Sequence, residues 1–143
     1  NYRMTNICAA IGLAQFGKLE KILHKKKLIF EYYKENLSKL NLIFQNDSEI
    51  NNNSSYWMIC FLISKDSERD KLRNYLTKKG IETRPVFYPI HLMPMYDGSK
   101  GDFPNAEKIA SKGINLPSFP DLTEQELDYI CSNILNFHSE FNK

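Results

Sequence analysis

The amino-acid sequence predicts an α+β fold, in which helices pack on one side of a small, mainly antiparallel sheet. Two observations support this prediction. The chain opens with a long proline-free segment of helical apolar spacing, and short segments rich in β-branched and aromatic residues then alternate with helical ones. The expected order is a long helix, then strand, strand, helix, strand, helix, strand and helix.

The first helix is predicted over residues 5–40, where apolar residues recur at helical spacing. As one helix it would extend over roughly 50 Å at about 1.5 Å per residue, which exceeds the needs of a small domain. Gly12 and Gly17 are therefore candidate points for a bend or a break. We expect residues 1–40 to form a connecting helix and residues 41–143 to form the small α+β domain.

The remaining elements follow from shorter patterns. Residues 45–55 are polar and predict a loop, and residues 89–103 carry prolines and glycines that exclude regular structure. Gly80 is placed to end a helix, and a capping-box pattern begins the last helix. Strands are predicted over residues 42–44, 56–63, 81–88 and 114–116, and helices over residues 67–79, over residues 104–112 and from Thr123 onward.

Length, charge and cysteine content limit the class of protein. A chain of 143 residues with 42% hydrophobic residues can build a core, and a net charge of +2 is too small to indicate a nucleic-acid or membrane partner. We expect no signal peptide, because the sequence does not open on a basic-then-apolar pattern, and no apolar run approaches the roughly 20 residues of a membrane span. Cys8, Cys60 and Cys131 are too widely spaced to predict disulfides or a zinc site. We expect a cytoplasmic protein without a metal.

Two groups of residues are candidates for ligand binding. Asn1 and Arg3 precede a helix start, where free N–H groups and the helix dipole favour a phosphate, although the residues alone favour a solvated leader. Arg84 and Tyr88 leave a predicted strand, and His91 and Tyr96 follow in a proline-rich loop. Such a cluster can hold an anionic ligand that contains rings, although an edge strand with packed aromatic side chains remains the alternative.

Two further patterns favour structural interpretations. The basic run at residues 24–27 resembles a nucleic-acid patch, but its helical apolar flanks favour a solvated helix face. Tyr56 and Trp57 are interpreted as core residues. The sequence contains no glycine-rich phosphate loop and no nucleophile with a nearby base, so it predicts no catalytic residue.

Four stretches of the chain carry a resemblance to a known family. The first, NYRMTNICAAIGLAQ at residues 1–15, resembles the pattern G-[YF]-N-Y-R-[ML]-[TS]-x-[IL]-x-A-A-I-G-x-x-Q of the DegT/DnrJ/StrS, or perosamine synthetase-like, family of sugar aminotransferases, without the two leading residues of that pattern. GIETRPVFYPIHLMPMY at residues 80–96, FPNAE at residues 103–107 and LPSFPDLT at residues 116–123 are similar to three further signatures of that family. The matches follow the family's order and spacing along nearly the whole chain.

The resemblance implies a fold type I enzyme dependent on pyridoxal 5′-phosphate (PLP), in which this chain is the end of the large domain's last connection together with the small C-terminal domain. In the family, the residue matching Asn1 reaches across a homodimer interface to the cofactor phosphate. The residues expected to line the nucleotide-sugar pocket are Arg3, Arg84, Tyr88, His91 and Tyr96.

The implied reaction transfers an amino group from L-glutamate to a keto sugar on a nucleoside diphosphate, to make an amino sugar for a surface polysaccharide or glycoconjugate. The sequence RPVFYP at residues 84–89 favours amination at C4, as in perosamine formation. The family's cofactor lysine and its aspartate belong to segments upstream of Asn1. We therefore expect this chain to be a fragment, inactive alone. The alternatives are a stand-alone binding module, a gene remnant, or a dehydratase relative with histidine in place of the lysine.

Overall fold

The computed structural model describes residues 2–45, 54–96 and 101–141. In these ranges it has the α+β architecture that the sequence predicts, with helices and short strands in the expected order. None of the helices in these ranges combines the length and the apolarity that crossing a membrane requires. The helices are α1 (Asn6–Phe16), α2 (Leu19–Asn36), α3 (Asp66–Lys78), α4 (Pro104–Lys112) and α5 (Glu124–Phe141).

The N-terminal helical segment is divided between α1 and α2. Thr5 caps α1, because its hydroxyl accepts a hydrogen bond from the Cys8 N–H at 3.3 Å. The break falls at Gly17, which ends α1, whereas Gly12 lies within the helix. Of the two candidate positions, only Gly17 therefore interrupts the helix.

A four-stranded sheet of order β1-β2-β4-β3 forms the centre of the domain, and every neighbouring pair is antiparallel. Phe61 lies opposite Ile114 in the central pair, and both side chains are buried. Successive side chains of a strand point to opposite faces of the sheet, and those of Phe61 and Ile114 lie on the face that packs against the helices. The strands are β1 (Ile43–Phe44), β2 (Ile59–Leu62), β3 (Arg84–Pro85) and β4 (Gly113–Leu116).

Three strands are shorter than predicted; β1 lacks only Leu42, whereas β2 and β3 lack several residues. The segment predicted as a strand over residues 56–63 becomes regular only at Ile59, because Tyr56 has a φ of +50° and breaks the extended backbone. The strand predicted over residues 81–88 is regular only at Arg84 and Pro85, and the next residue, Val86, adds one hydrogen bond from its N–H to the Gly113 carbonyl at 3.2 Å. Proline has no N–H to donate to a ladder, which confines this segment to a short edge strand.

The helix ends follow local sequence signals. Gly80, just after α3, has a φ of +75°, a conformation that favours glycine. Pro104 occupies the first turn of α4, where its missing N–H removes no helical hydrogen bond. The loop predicted over residues 89–103 contains two short 3₁₀ helices, Ile90–Leu92 and Pro94–Tyr96, in its described part.

The core lies between the sheet and the helices α2, α3 and α5. The second half of α2 contributes Ile29, Phe30, Tyr33 and Leu37, all of them buried. The helix α1 differs, because it buries none of its residues and exposes apolar side chains. Those side chains are Ile7, Ile11, Leu13 and Phe16.

Candidate functional site

A cavity of about 850 Å³ opens between the segment before β2, the β3 edge of the sheet and the first turns of α5. We call it the edge groove. Its walls combine aromatic and polar side chains, a mixture typical of sites for ring-bearing polar ligands. The lining residues include Trp57, Arg84, Asn115, Phe119 and Tyr129.

Arg84 is the predicted site residue that lines the edge groove. The register of β3 on β4 places it opposite Asn115, whose side-chain amide donates to the Pro85 carbonyl at 3.1 Å. The Arg84 guanidinium lies 3.2 Å from the Glu82 carboxylate, and both side chains are largely exposed. An exposed pair of this kind contributes about 0–1 kcal/mol. An anionic ligand can therefore compete with Glu82 for this guanidinium.

Trp57 is a groove residue that the sequence interpretation placed wrongly in the core. Its neighbour Tyr56 is buried, at 7% exposure, but Trp57 is 69% exposed. The Trp57 ring lies beside that of Phe87, with the centroids 6.3 Å apart and the planes inclined by 31°. In a regular strand, Trp57 would lie on the same face as the buried Ile59 and would point into the core. The irregular backbone at Tyr56 removes this relationship. No local sequence signal indicated this.

The other predicted loop residues lie after β3. Tyr88 and Tyr96 are exposed, whereas the His91 side chain is only 14% exposed. His91 packs against Phe103, with the ring centroids 4.7 Å apart, and contacts Glu107 at the start of α4. His91 therefore joins the loop to α4, while the two tyrosines present rings to solvent.

The predicted phosphate-contacting leader is only partly described. Arg3 is exposed in the extended segment before the Thr5 cap of α1. Asn1 lies outside the described residues. The contact of these two residues with a ligand stays a prediction.

The basic run at residues 24–27 is not a uniformly solvated face, as the sequence interpretation held. Lys26 is only 8% exposed and is hydrogen bonded to the segments that precede β2 and follow β4. Lys25 pairs with Asp121 at 2.6 Å, and Lys27 lies 3.7 Å from Glu31. All three lysines thus make contacts with other residues of the chain, and this also weakens the nucleic-acid interpretation.

Comparison with known proteins agrees with the resemblance found in the sequence. The model of the DegT/DnrJ/EryC1/StrS aminotransferase family matches residues 1–135. A GDP-perosamine synthase of Escherichia coli O157:H7 is 46% identical over 140 residues, covering 98% of this chain and 38% of the relative. A GDP-perosamine synthase of Vibrio cholerae is 40% identical over 141 residues, covering 96% and 38% respectively. The chain thus spans about 38% of the length of these curated relatives.

Solved structures share the fold. An aminotransferase from Streptoalloteichus hindustanus superposes with a TM-score of 0.89 at 24% identity, covering 96% of this chain and 37% of that one. A putative sugar aminotransferase from Streptococcus pneumoniae in its PLP form gives a TM-score of 0.86 at 23% identity, with coverages of 96% and 36%. Because the family match extends over nearly the whole chain, the protein belongs to the DegT/DnrJ/EryC1/StrS aminotransferase family.

Proposed function

We propose that this chain is the C-terminal portion of a PLP-dependent aminotransferase that transfers an amino group from L-glutamate to a nucleotide-linked keto sugar. The observation that carries the proposal is the 46% identity, over 140 residues, to a protein named GDP-perosamine synthase. That similarity favours amination at C4 of a GDP-linked sugar. In this proposal, residues 1–40 lead from a larger cofactor-binding domain into the small domain of residues 41–143, and the enzyme acts in the cytoplasm as a homodimer.

The chain's own residues would bind the nucleotide-sugar. A diphosphate needs cationic donors, and the exposed guanidinium groups of Arg84 and Arg3 are suited to bind it in a bidentate manner. The planar base and the sugar ring need flat apolar surfaces, which the exposed rings of Trp57, Tyr88 and Tyr96 offer. His91 would orient the loop through its contact with α4.

The residues of this chain are suited to contact only part of PLP, its phosphate group. The exposed leader before the Thr5-capped start of α1 offers polar donors suited to a phosphate, and Asn1 is the residue that would contact the cofactor phosphate across the dimer interface. When bound, PLP supplies the electron sink for amino transfer.

The cofactor also requires a lysine, and Lys26 is the obvious one to test because burial lowers its pKa. Its ammonium, however, donates to the backbone carbonyls of Trp57 and Ser118 and to the Ser118 hydroxyl. An ammonium held in this way stabilises the fold, and the family resemblance implies a cofactor lysine in an upstream segment, so we assign the cofactor lysine to another part of the enzyme. The 143 residues alone are accordingly proposed to be inactive.

The test uses the complete polypeptide that carries this chain, with PLP, L-glutamate and a GDP-linked 4-keto sugar. We expect formation of the 4-amino sugar together with 2-oxoglutarate. Arg84→Ala should raise KM for the sugar nucleotide about tenfold or more, the cost of one charge-assisted contact. The matched control is Lys78→Ala, which removes an exposed cation from the last turn of α3.

The outcomes separate the alternatives. Loss of water from the sugar without consumption of glutamate would indicate the dehydratase branch. A complete wild-type polypeptide that binds no PLP and converts no keto sugar would refute the enzyme proposal and favour a binding module.

A further inference from the structure

Lys26 carries a buried ammonium group surrounded by oxygen atoms. Its Nζ lies 2.8 Å from the Trp57 carbonyl oxygen, 2.6 Å from the Ser118 carbonyl oxygen and 3.0 Å from the Ser118 Oγ. An ammonium has three donors and no acceptor, so these contacts satisfy it completely. None of these three acceptors carries a formal charge, and within the described residues the group is therefore held by hydrogen bonds without an ion pair.

The ammonium lies where the pairing of β2 with β4 stops. The ladder ends at Leu116, and the next residue, Pro117, has no N–H to donate across the sheet. Lys26 donates instead, to the carbonyl of Trp57 on the β2 side and to that of Ser118 on the β4 side. A side chain from α2 thus connects the two backbones beyond the end of the ladder.

The same face of α2 makes a second contact with the segment after β4. Tyr33 lies seven residues, or two helical turns, after Lys26, and its hydroxyl donates to the Pro117 carbonyl at 2.9 Å. Lys25 adds an ion pair with Asp121 at 2.6 Å. Among these contacts, only that of Lys26 reaches both the segment after β4 and the residue before β2.

The residues joined by Lys26 belong to the edge groove. Trp57 and Ser118 both line it, and the Trp57 ring extends the wall to Phe87. We propose that Lys26 is a positioning residue that fixes Trp57 and the Ser118 segment as the wall of the edge groove. The inference deepens the proposed function, since the groove also contains Arg84, but the position of Trp57 can be measured without turnover.

The test exploits the single tryptophan of the chain. Lys26→Met keeps most of the aliphatic stem and removes the three donors. We expect the near-ultraviolet circular dichroism of Trp57 to be lost and its fluorescence anisotropy to gain a fast component, while the far-ultraviolet spectrum stays native. In the complete enzyme, the same change should raise KM for the sugar nucleotide more than it lowers kcat.

Two matched variants separate positioning from general stability. Lys27→Met removes the next cation of α2, which is exposed and lies 3.7 Å from Glu31, and should leave the tryptophan signals unchanged. Tyr33→Phe removes the hydrogen bond to the Pro117 carbonyl. It should lower the free energy of unfolding by about 1 kcal/mol and leave the tryptophan signals unchanged.

Ser118→Ala provides a milder variant in case Lys26→Met does not fold. It removes the Oγ that accepts from Lys26 at 3.0 Å and donates to the Trp57 carbonyl at 3.5 Å, and it should produce a smaller change of the tryptophan signals in the same direction. The inference is overturned if folded Lys26→Met or Ser118→Ala protein keeps the wild-type tryptophan signals. It is equally overturned if Tyr33→Phe or Lys27→Met changes the tryptophan signals as much as Lys26→Met does.

Discussion

The imidazole Nε2 of His91 lies 2.9 Å from the Glu107 carboxylate and thereby joins the 3₁₀ helix Ile90–Leu92 to the first turn of α4. The Phe103 ring packs beside the imidazole. The loop that follows β3 is therefore held at its middle, between the exposed rings of Tyr88 and Tyr96.

The His91–Glu107 contact should be measurable as a coupling energy. We expect a double-mutant cycle of His91→Ala and Glu107→Ala to give about 0.5–1 kcal/mol, because the contact is partly exposed on the carboxylate side. Urea denaturation of the four proteins provides the measurement. Lys108→Ala, at the adjacent exposed position of α4, is the control. Strict additivity of the two single changes would show that the contact contributes nothing to stability.

Helix ends that depend only on residues close in sequence were predictable. Gly80 ends α3 and Pro104 begins α4, because each acts through its own backbone geometry. The burial of Lys26 and the exposure of Trp57 were not predictable in this way. Lys26 meets partners that lie 31 and 92 residues away in sequence, and no local pattern encodes such contacts. Arg84 was singled out because a cation beside aromatic residues is a local signal; it lines the edge groove, and its binding role stays a prediction.

Glycine-to-alanine changes at two positions should act in opposite directions. A Cβ at Gly113 would overlap the Val86 side chain and approach the Ile109 carbonyl oxygen to 2.6 Å. Gly113→Ala should therefore destabilise the fold by about 1–3 kcal/mol. Gly12 lies inside α1 with no described heavy atom within 4 Å of a new Cβ, so Gly12→Ala should leave the fold intact and increase helicity.

Thermal denaturation followed by circular dichroism distinguishes the two glycine variants. The close packing of β4 against Val86 and α4 would be contradicted if Gly113→Ala melted at the wild-type temperature. Gly12→Ala serves as the matched control, since it makes the same chemical change at an open helical position.

The cysteines should differ in reactivity. Cys8 is exposed on α1, and burial raises the pKa of the half-buried Cys60. Burial, together with the nearby Asp128 carboxylate, raises the pKa of Cys131 to about 12. Because the thiolate is the reactive form, Cys8 should be alkylated much faster than the other two at neutral pH.

Mass spectrometry of iodoacetamide-treated protein locates the modified thiols. Cys8→Ser should abolish the fast phase, and in denaturant Cys60 and Cys131 should react at the rate of an ordinary thiol. Rapid modification of Cys131 in the native chain would mean that the packing of α5 is looser than described.

The start of α5 should respond to acid. The Thr123 N–H and hydroxyl each donate to Glu126 Oε2 at 2.8 Å, and the Glu126 N–H donates to the Thr123 hydroxyl at 3.3 Å. The hydrogen bond from the Thr123 backbone, followed by that from its side chain, holds the pKa of Glu126 below its usual range. A lowered folded-state pKa stabilises the fold above the unfolded carboxyl pKa of about 4.3, and that contribution disappears as the pH falls through the folded value.

Glu126→Gln isolates this contribution, because glutamine keeps an acceptor for the capping box but carries no charge. We expect wild type to exceed the variant in urea midpoint at neutral pH, and the difference to vanish as the pH falls below the ordinary carboxyl range. Thr123→Ala removes the cap itself and should cost about 1 kcal/mol at neutral pH. Because the ionised carboxylate accepts both Thr123 hydrogens, parallel pH profiles for wild type and Glu126→Gln would contradict this account of how α5 begins.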